Sequence, residues 1–211
     1  MIPKIIHHIW IGSALPAHLA RYIDTWHDQH PEWEHFLWTD EDLVWLEHRD
    51  LYDHAPSLVP RDAIGQLKAD IARYEILRRY GGLYVDCDTT SLRPIDSLLQ
   101  GHDTFAAAED SNWVGNTYLA ASPQHPVMCD LVSGLSDSIS DGRGKRPNKL
   151  TGPQYLTPIW KKHRAFIAEQ RLFYPYSYSD VKKNTVPTDF GDAYAVHHWE
   201  HTRAVLQARK K

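Results

Sequence analysis

Cysteine is scarce. Cys87 and Cys129 are the two thiols in 211 residues, too few for a disulfide framework. They read as reduced, half-buried thiols of a cytosolic protein. Long apolar runs are also missing, and none approaches the ~20 residues that span a bilayer. The apolar start, residues 1–12, lacks the small-residue cleavage pattern of a secretory signal. The expectation is a soluble, cytoplasmic protein, with any contact at the inner membrane face peripheral. There is no surplus of positive charge: 23 Lys and Arg stand against 27 Asp and Glu, a formal net charge of −4. Bulk attraction to nucleic acid or anionic lipid is therefore not expected, which leaves room only for local basic patches, and no nucleic-acid partner is expected. Repeats and low-complexity segments are absent. With 42% hydrophobic residues the chain is not disordered. Its length suits one sizeable core, so residues 1–211 are read as a single domain.

What is plentiful is histidine and aromatic surface, with 14 His, 8 Trp and 11 Tyr. Aromatic rings offer flat apolar faces with a polar tip, which suit sugars and bases, although most such rings fill a core. Residues 4–10 read as a buried strand. Residues 16–29 read as a helix, with Leu19, Tyr22, Ile23 and Trp26 at helical spacing. Residues 33–38 form a second strand, with a short helix expected from Thr39-Asp40 to Leu46 and a loop over 50–60. The clearest helix is 61–80, on Ile64, Leu67, Ile71, Tyr74 and Leu77, stopped by Gly81-Gly82. A strand at 83–85 runs straight into Asp86-Cys87-Asp88. Strands at 104–108 and 114–121, helices at 125–136 and 153–164, and short strands at 171–174 and 194–199 complete the pattern. The polar stretch 140–150 reads as a mobile loop. Alternating strands and helices predict an α/β sandwich with a mostly parallel sheet. Ligands in such folds sit at strand carboxyl ends, where Asp86 and Asp88 fall.

Alternate strand residues share a face, so Asp86 and Asp88 can point at one cation. Hard divalent ions such as Mn²⁺ and Mg²⁺ take oxygen ligands of this kind. Two enzyme classes place such a pair at a strand end. One is the haloacid-dehalogenase type of phosphatase, whose short pattern Asp86 to Thr90 fits, with Asp86 as nucleophile. The other is the metal-dependent sugar-nucleotide transferase. The flanks favour the second. Asp70 and Arg73 share a helix face just upstream, where Arg can clamp phosphate or a sugar hydroxyl and Asp can accept from hydroxyls. The phosphatase reading gives them no task and finds no downstream acidic pair beyond the incomplete Gly191-Asp192.

The run Ala69-Asp70-Ile71-Ala72-Arg73-Tyr74, then Tyr80-Gly81-Gly82-Leu83-Tyr84-Val85-Asp86-Cys87-Asp88-Thr89, resembles the D-x-D region of family 32 glycosyltransferases. So do Ile2 to Trp10, Thr151-Gly152-Pro153 and Val196-His197-His198-Trp199. These relatives include initiating mannosyltransferases, α-1,4-galactosyltransferases and capsule enzymes, with a related pattern in clostridial glucosylating toxins. The resemblance implies a GT-A fold, a nucleotide-sugar-binding α/β sandwich with a mixed, mostly parallel central sheet flanked by helices. It implies a retaining hexosyltransferase that uses Mn²⁺ or Mg²⁺ and a nucleotide sugar, with UDP favoured, and a glycan or lipid-linked acceptor. By matched position, Asp86 and Asp88 would hold the metal, with His197 as a third ligand. Asp70 and Arg73 would grip the donor sugar, Tyr84 would line its pocket and Asn116 would face it. Ile9 and Trp10 would lie beside the base, and Trp199 would approach the β-phosphate or sugar. His198 is expected to be a bystander.

Two departures stand out. The chain has little beyond the core to shape an acceptor site, and it carries Trp199-Glu200-His201 where many relatives have Ser-Trp. For a retaining reaction, a covalent intermediate would need a nucleophile, for which Glu109 and Asp110 are the candidates. Same-face attack, with the leaving phosphate taking the acceptor proton, is the preferred route. The basic segment 143–149 reads as a solvated loop or a lid. A decayed transferase that only binds is the third reading.

Overall fold

The computed structural model describes residues 1–142 and 145–208. The chain order is β1 (Ile5–Ile9), α1 (Ala17–Gln29), β2 (Glu34–Trp38), α2 (Arg49–Asp53), α3 (Ala55–Leu58), α4 (Ile64–Tyr80), β3 (Gly82–Val85), β4 (Thr89–Ser91) and α5 (Asp96–Leu99). It continues with β5 (Thr104–Ala108), β6 (Val114–Ala121), α6 (Pro126–Ser133), α7 (Leu135–Asp141), α8 (Pro147–Leu150), α9 (Pro153–Lys162), β7 (Ile167–Ala168), α10 (Tyr178–Lys183), β8 (Ala195–His197) and α11 (Glu200–Ala208). Six strands form one sheet in the order β2-β1-β3-β6-β5-β7. Strands β1, β2 and β3 are parallel; β6 pairs antiparallel with both β3 and β5, and β7 is parallel to β5. Only β6 runs against the others, so the sheet is mixed and mostly parallel, as the sequence predicts. Strands β4 and β8 make a separate antiparallel pair.

The sheet is covered on both faces. Strand β6 shows why, since all eight of its residues are buried and alternate ones go to opposite sides. Leu119 joins Leu67, Leu77, Met128, Leu131 and Trp160 on the side of α4, α6 and α9. Tyr118 and Ala120 join Trp26, Leu83, Phe105 and Phe173 on the other. Each large side chain buried this fully contributes about 1.5–3 kcal/mol. Helix α1 buries Leu19, Ile23 and Trp26, one stripe of an otherwise polar helix. Helix α4 is different. From Asp70 to Leu77 every residue is buried, so it runs through the interior and carries Asp70, Arg73 and Glu75 with it. Glu75 has a structural task, accepting from the backbone N–H groups of Glu47 and His48 and lying 3.1 Å from His48 Nδ1. Asp70 and Arg73 belong to the site described below.

Several local expectations are corrected. No helix forms over 39–46, because the Asp42 carboxylate accepts from both the N–H and the hydroxyl of Thr39 and ties the segment into turns. The expected loop 50–60 holds α2 and α3, and 140–150 holds the end of α7 and all of α8. Residues 143 and 144 of the basic segment lie outside the described residues. The helix expected over 125–136 is broken at Gly134. Residues 170–172 make a 3-10 turn, and the strand beside β5 is Ile167–Ala168 instead. Helices α10 and α11 were not anticipated. The first of them is closed by reciprocal capping of Ser177 and Asp180. Among the described residues no helix is long and apolar enough to cross a membrane.

Gly81 and Gly82 connect α4 to β3 with φ of +67° and +91°. A Cβ on Gly82 would lie 2.5 Å from the Ile5 carbonyl oxygen. Gly82→Ala should therefore cost about 2 kcal/mol or more, from left-handed strain plus the clash with β1, read as a shift in denaturant midpoint. An unchanged midpoint would contradict this packing. His8 on β1 is 1% exposed and its ring makes no well-formed hydrogen bond. Burial first, then the nearby His35 and His27, push it down to about 3. It stays neutral in the fold while the unfolded chain protonates near 6.5. Stability is thus full above about pH 6.5 and falls as pH drops towards 3. His8→Leu should flatten that slope, measured by denaturation between pH 7 and 5, by up to about 1.4 kcal/mol per pH unit.

Candidate active site

Strand β3 ends in the turn that carries the acidic pair. The Asp86 N–H donates to the Thr117 carbonyl at 3.2 Å, and the Thr89 hydroxyl donates to the Asp86 carbonyl at 2.7 Å. Cys87 takes the opposite face, where its thiol donates to the Ile9 carbonyl at 3.3 Å and burial pushes its pKa up. Residues 86–88 are a turn rather than strand, yet Asp86 and Asp88 lie on a common side, close enough to share one site. The β4–β8 ladder pairs Thr89 with His197, which brings the late histidine against the turn. His197 Nε2 lies 3.2 Å from Asp88 Oδ2, which also accepts the Glu200 N–H at 3.0 Å. One ligand atom from each of Asp86, Asp88 and His197 lies within 4.8 Å of the others. Their side chains are 24%, 16% and 11% exposed, so they form a rim open to solvent.

Burial by itself would raise Asp88, but the imidazole of His197 and the hydrogen bonds outweigh it and hold Asp88 at about 2. Asp88 in turn raises His197, against the effect of burial. His197 Nδ1 is buried and has no partner. Two carboxylates and one imidazole, whose Nδ1 is unpartnered, form a donor set that fits Mn²⁺ or Mg²⁺.

Behind this rim stands Arg73, 3% exposed. Its guanidinium donates to the Asn116 carbonyl at 2.5 Å, lies 3.0 Å from Asp70 Oδ1 and 3.3 Å from Asp86 Oδ1, and packs 4.4 Å over the Tyr84 ring. The Tyr84 hydroxyl donates to Asp86 Oδ1 at 2.6 Å. Asp86 is thus aimed by two donors. Asp70 is completely buried, and burial raises it to about 6 despite the opposing pull of Arg73. Its oxygens accept from the Asn116 amide at 2.9 Å and the Thr151 hydroxyl at 2.6 Å.

The expected site residues therefore fall into three groups. Asp86, Asp88 and His197 converge on the rim. Asp70, Arg73, Tyr84 and Asn116 converge behind it, and all four are buried. Ile9 is also buried, but Trp10 borders an open cleft of about 480 Å³ with Gly12, Ser13, Leu37 and Asp40 at the carboxyl ends of β1 and β2. Trp199 sits with its ring 4.2 Å from that of His197, donates Nε1 to the Tyr176 carbonyl at 3.3 Å and has φ +56°. His198 is a packed bystander: it stacks on Tyr22 at 4.2 Å and hydrogen-bonds the Thr90 hydroxyl at 2.7 Å.

Asp110 has a turn-forming job, its carboxylate accepting from the N–H groups of Asn112 and Trp113. Glu109 is half-buried, and burial pushes it up to about 7. Sequence reasoning missed the roles of Thr151 and of the Glu200 backbone. The Thr-Gly-Pro run marked the first, but its partner lies 81 residues away. A backbone N–H leaves no signal at all.

Comparison with known proteins bears on the family region and the fold. The family described as "Glycosyltransferase sugar-binding region containing DXD motif" matches residues 16–105. Inositol phosphoceramide mannosyltransferase 3 of Schizosaccharomyces pombe is 30% identical over 173 residues, covering 77% of this chain and 46% of that protein. Among solved structures, the PaToxG glycosyltransferase superposes with TM-score 0.62 at 18% identity, over 77% of this chain and 69% of the other. The UDP-bound glycosyltransferase domain of the YGT toxin gives 0.55 at 11% identity, over 98% and 89%. The fold is GT-A, and the resemblance carried by the central sequence block is shown. The chain spans about half the length of the curated relatives it matches, 43%, 51% and 46% of three of them.

The Thr151 hydroxyl is the neutral donor to a fully buried carboxylate oxygen. Thr151→Val should cost about 1–3 kcal/mol by leaving that oxygen unpaired, whereas Thr151→Ser should cost much less. Equal losses for the two variants, in denaturant titrations, would show that the hydroxyl is not what holds Asp70.

Proposed function

Taking as premise that this chain carries the sugar-binding region of the DXD glycosyltransferases on a GT-A fold, we propose that it is a retaining hexosyltransferase. It moves a hexose from a nucleotide sugar, UDP-hexose first among candidates, to a glycan or lipid-linked acceptor with help from Mn²⁺ or Mg²⁺. The observation that carries this reading is the convergence of Asp86, Asp88 and His197 at the carboxyl end of β3, on the same sheet edge as the cleft that Trp10 borders after β1. The UDP bound to the YGT toxin domain supports the donor class, and the inositol phosphoceramide of the Schizosaccharomyces pombe mannosyltransferase supports the acceptor class.

The cleft offers the Trp10 ring to a base. Asp86, Asp88 and His197 would hold the cation, which when bound offsets the charge gathering on the departing diphosphate. Arg73 and Tyr84 fix the direction of Asp86, and Asp70 fixes Arg73. Such aim matters, because a misplaced group loses its hold on the transition state. The bond from the anomeric carbon to the diphosphate oxygen breaks while the acceptor oxygen bonds to the same face. The acceptor proton passes to the leaving phosphate oxygen. No nucleophile from the protein is needed on this route, and Asp110 is already engaged as an acceptor within its own turn.

The test is release of nucleoside diphosphate from a panel of UDP- and GDP-sugars, with Mn²⁺ or with EDTA. Release should require metal and fall at least about a hundredfold in Asp88→Asn, the scale for loss of one electrostatic stabiliser. Release that persists in EDTA and in the variant would overturn the assignment. Metal-dependent nucleotide binding with no release under any acceptor would favour a binding module.

A further inference from the structure

Glu109 is a charge-bearing group without an occupation. It follows β5 at the carboxyl end, on the same edge of the sheet as Asp86. Its backbone N–H closes the hairpin onto the Trp113 carbonyl, and the neighbouring Asp110 side chain locks the turn. The Glu109 carboxyl makes no hydrogen bond or ion pair among the described residues. It is half-buried, and it sits close enough to His197, Asp86 and Tyr174 for each to feel its charge. Its oxygens are not among the buried side-chain atoms that lack a partner, so they reach solvent and are open to a ligand that donates hydrogen bonds.

Two ligands fit Glu109 less well. Glu109 is not among the residues whose donor atoms cluster within 4.8 Å at the candidate metal site. A diphosphate would be repelled by a carboxylate. What remains next to the diphosphate end of the site is a neutral group rich in hydroxyls. One carboxylate can accept from two of them at once. Resting on the nucleotide-sugar reading above, we propose that Glu109 accepts hydrogen bonds from the hydroxyls of the transferred sugar. It is the group that distinguishes the hexose, while the cleft and the acidic pair hold the nucleotide.

The experiment is calorimetric binding with Mn²⁺ and no acceptor, using the pairs UDP and UDP-glucose, and GDP and GDP-mannose. In Glu109→Ala the free diphosphate should bind within about twofold of wild type. The matching nucleotide sugar should bind about tenfold more weakly or worse, the loss expected for a charged hydrogen bond. Glu109→Gln keeps the shape and a neutral acceptor, so its loss should be smaller, about threefold to tenfold. It carries the test if the alanine variant melts early. Equal weakening of diphosphate and nucleotide sugar would make Glu109 structural or metal-linked and overturn the proposal. No weakening of either, or a loss seen only once an acceptor is added, would overturn it as well. If wild type binds none of the four, the nucleotide-sugar reading falls, and this inference with it.

Discussion

The site depends on one buried cation. Arg73 lies inside α4, nearly out of reach of water, and an unpaired guanidinium there would cost several kcal/mol. Asp70, Asp86, the Asn116 carbonyl and the Tyr84 ring share that charge. None of them is free to move without exposing another to an unpaired charge. Asp86 therefore leaves β3 already aimed, and Asp70 is kept within reach of Arg73 by Asn116 and Thr151. The same constraint explains an otherwise odd helix. An interior helix should be apolar all round, yet α4 buries Asp70 and Arg73, which answer each other, and Glu75, which is answered by the N–H groups of Glu47 and His48.

Topology completes what Arg73 begins. The parallel strands β1 and β3 end at the same edge, and the reversed strand β6 starts there, which brings Asn116 opposite Arg73. The small β4–β8 ladder then carries a residue from near the end of the described chain to the acidic turn. His197 Nε2 is held 3.2 Å from Asp88 Oδ2, and the start of α11 adds its N–H to the same oxygen. An anion at a helix start is favourable, so α11 and Asp88 steady each other.

Much of this was legible in the sequence, and the reasons differ by residue. The strands at 104–108 and 114–121 match β5 and β6, because apolar runs between turn residues leave little choice. The acidic pair stood out because hydrophobic residues, two glycines and two carboxylates in that order have few other uses. The function of Asp70 was harder to see. As an i, i+3 neighbour of Arg73 it was legible as a partner, but whether the pair faces solvent, sugar or the core depends on what packs around α4. The corrections at 39–46 and 171–174 share a cause: a side chain or backbone contact closed a turn more cheaply than the periodic element the composition favoured. Thr151, Glu200 and the partnerless state of Glu109 could not be read in advance, since each is defined by a neighbour that only the folded chain supplies.

The central claim is that Asp86, Asp88 and His197 hold one divalent cation against a nucleoside diphosphate. The most direct measurement is a crystal structure with Mn²⁺ and UDP, using anomalous scattering to locate the metal. The account predicts a single strong peak bonded to these three residues, with diphosphate oxygens completing the shell and the base against Trp10. UDP bound with no peak there, or with the metal held by other residues, would contradict it.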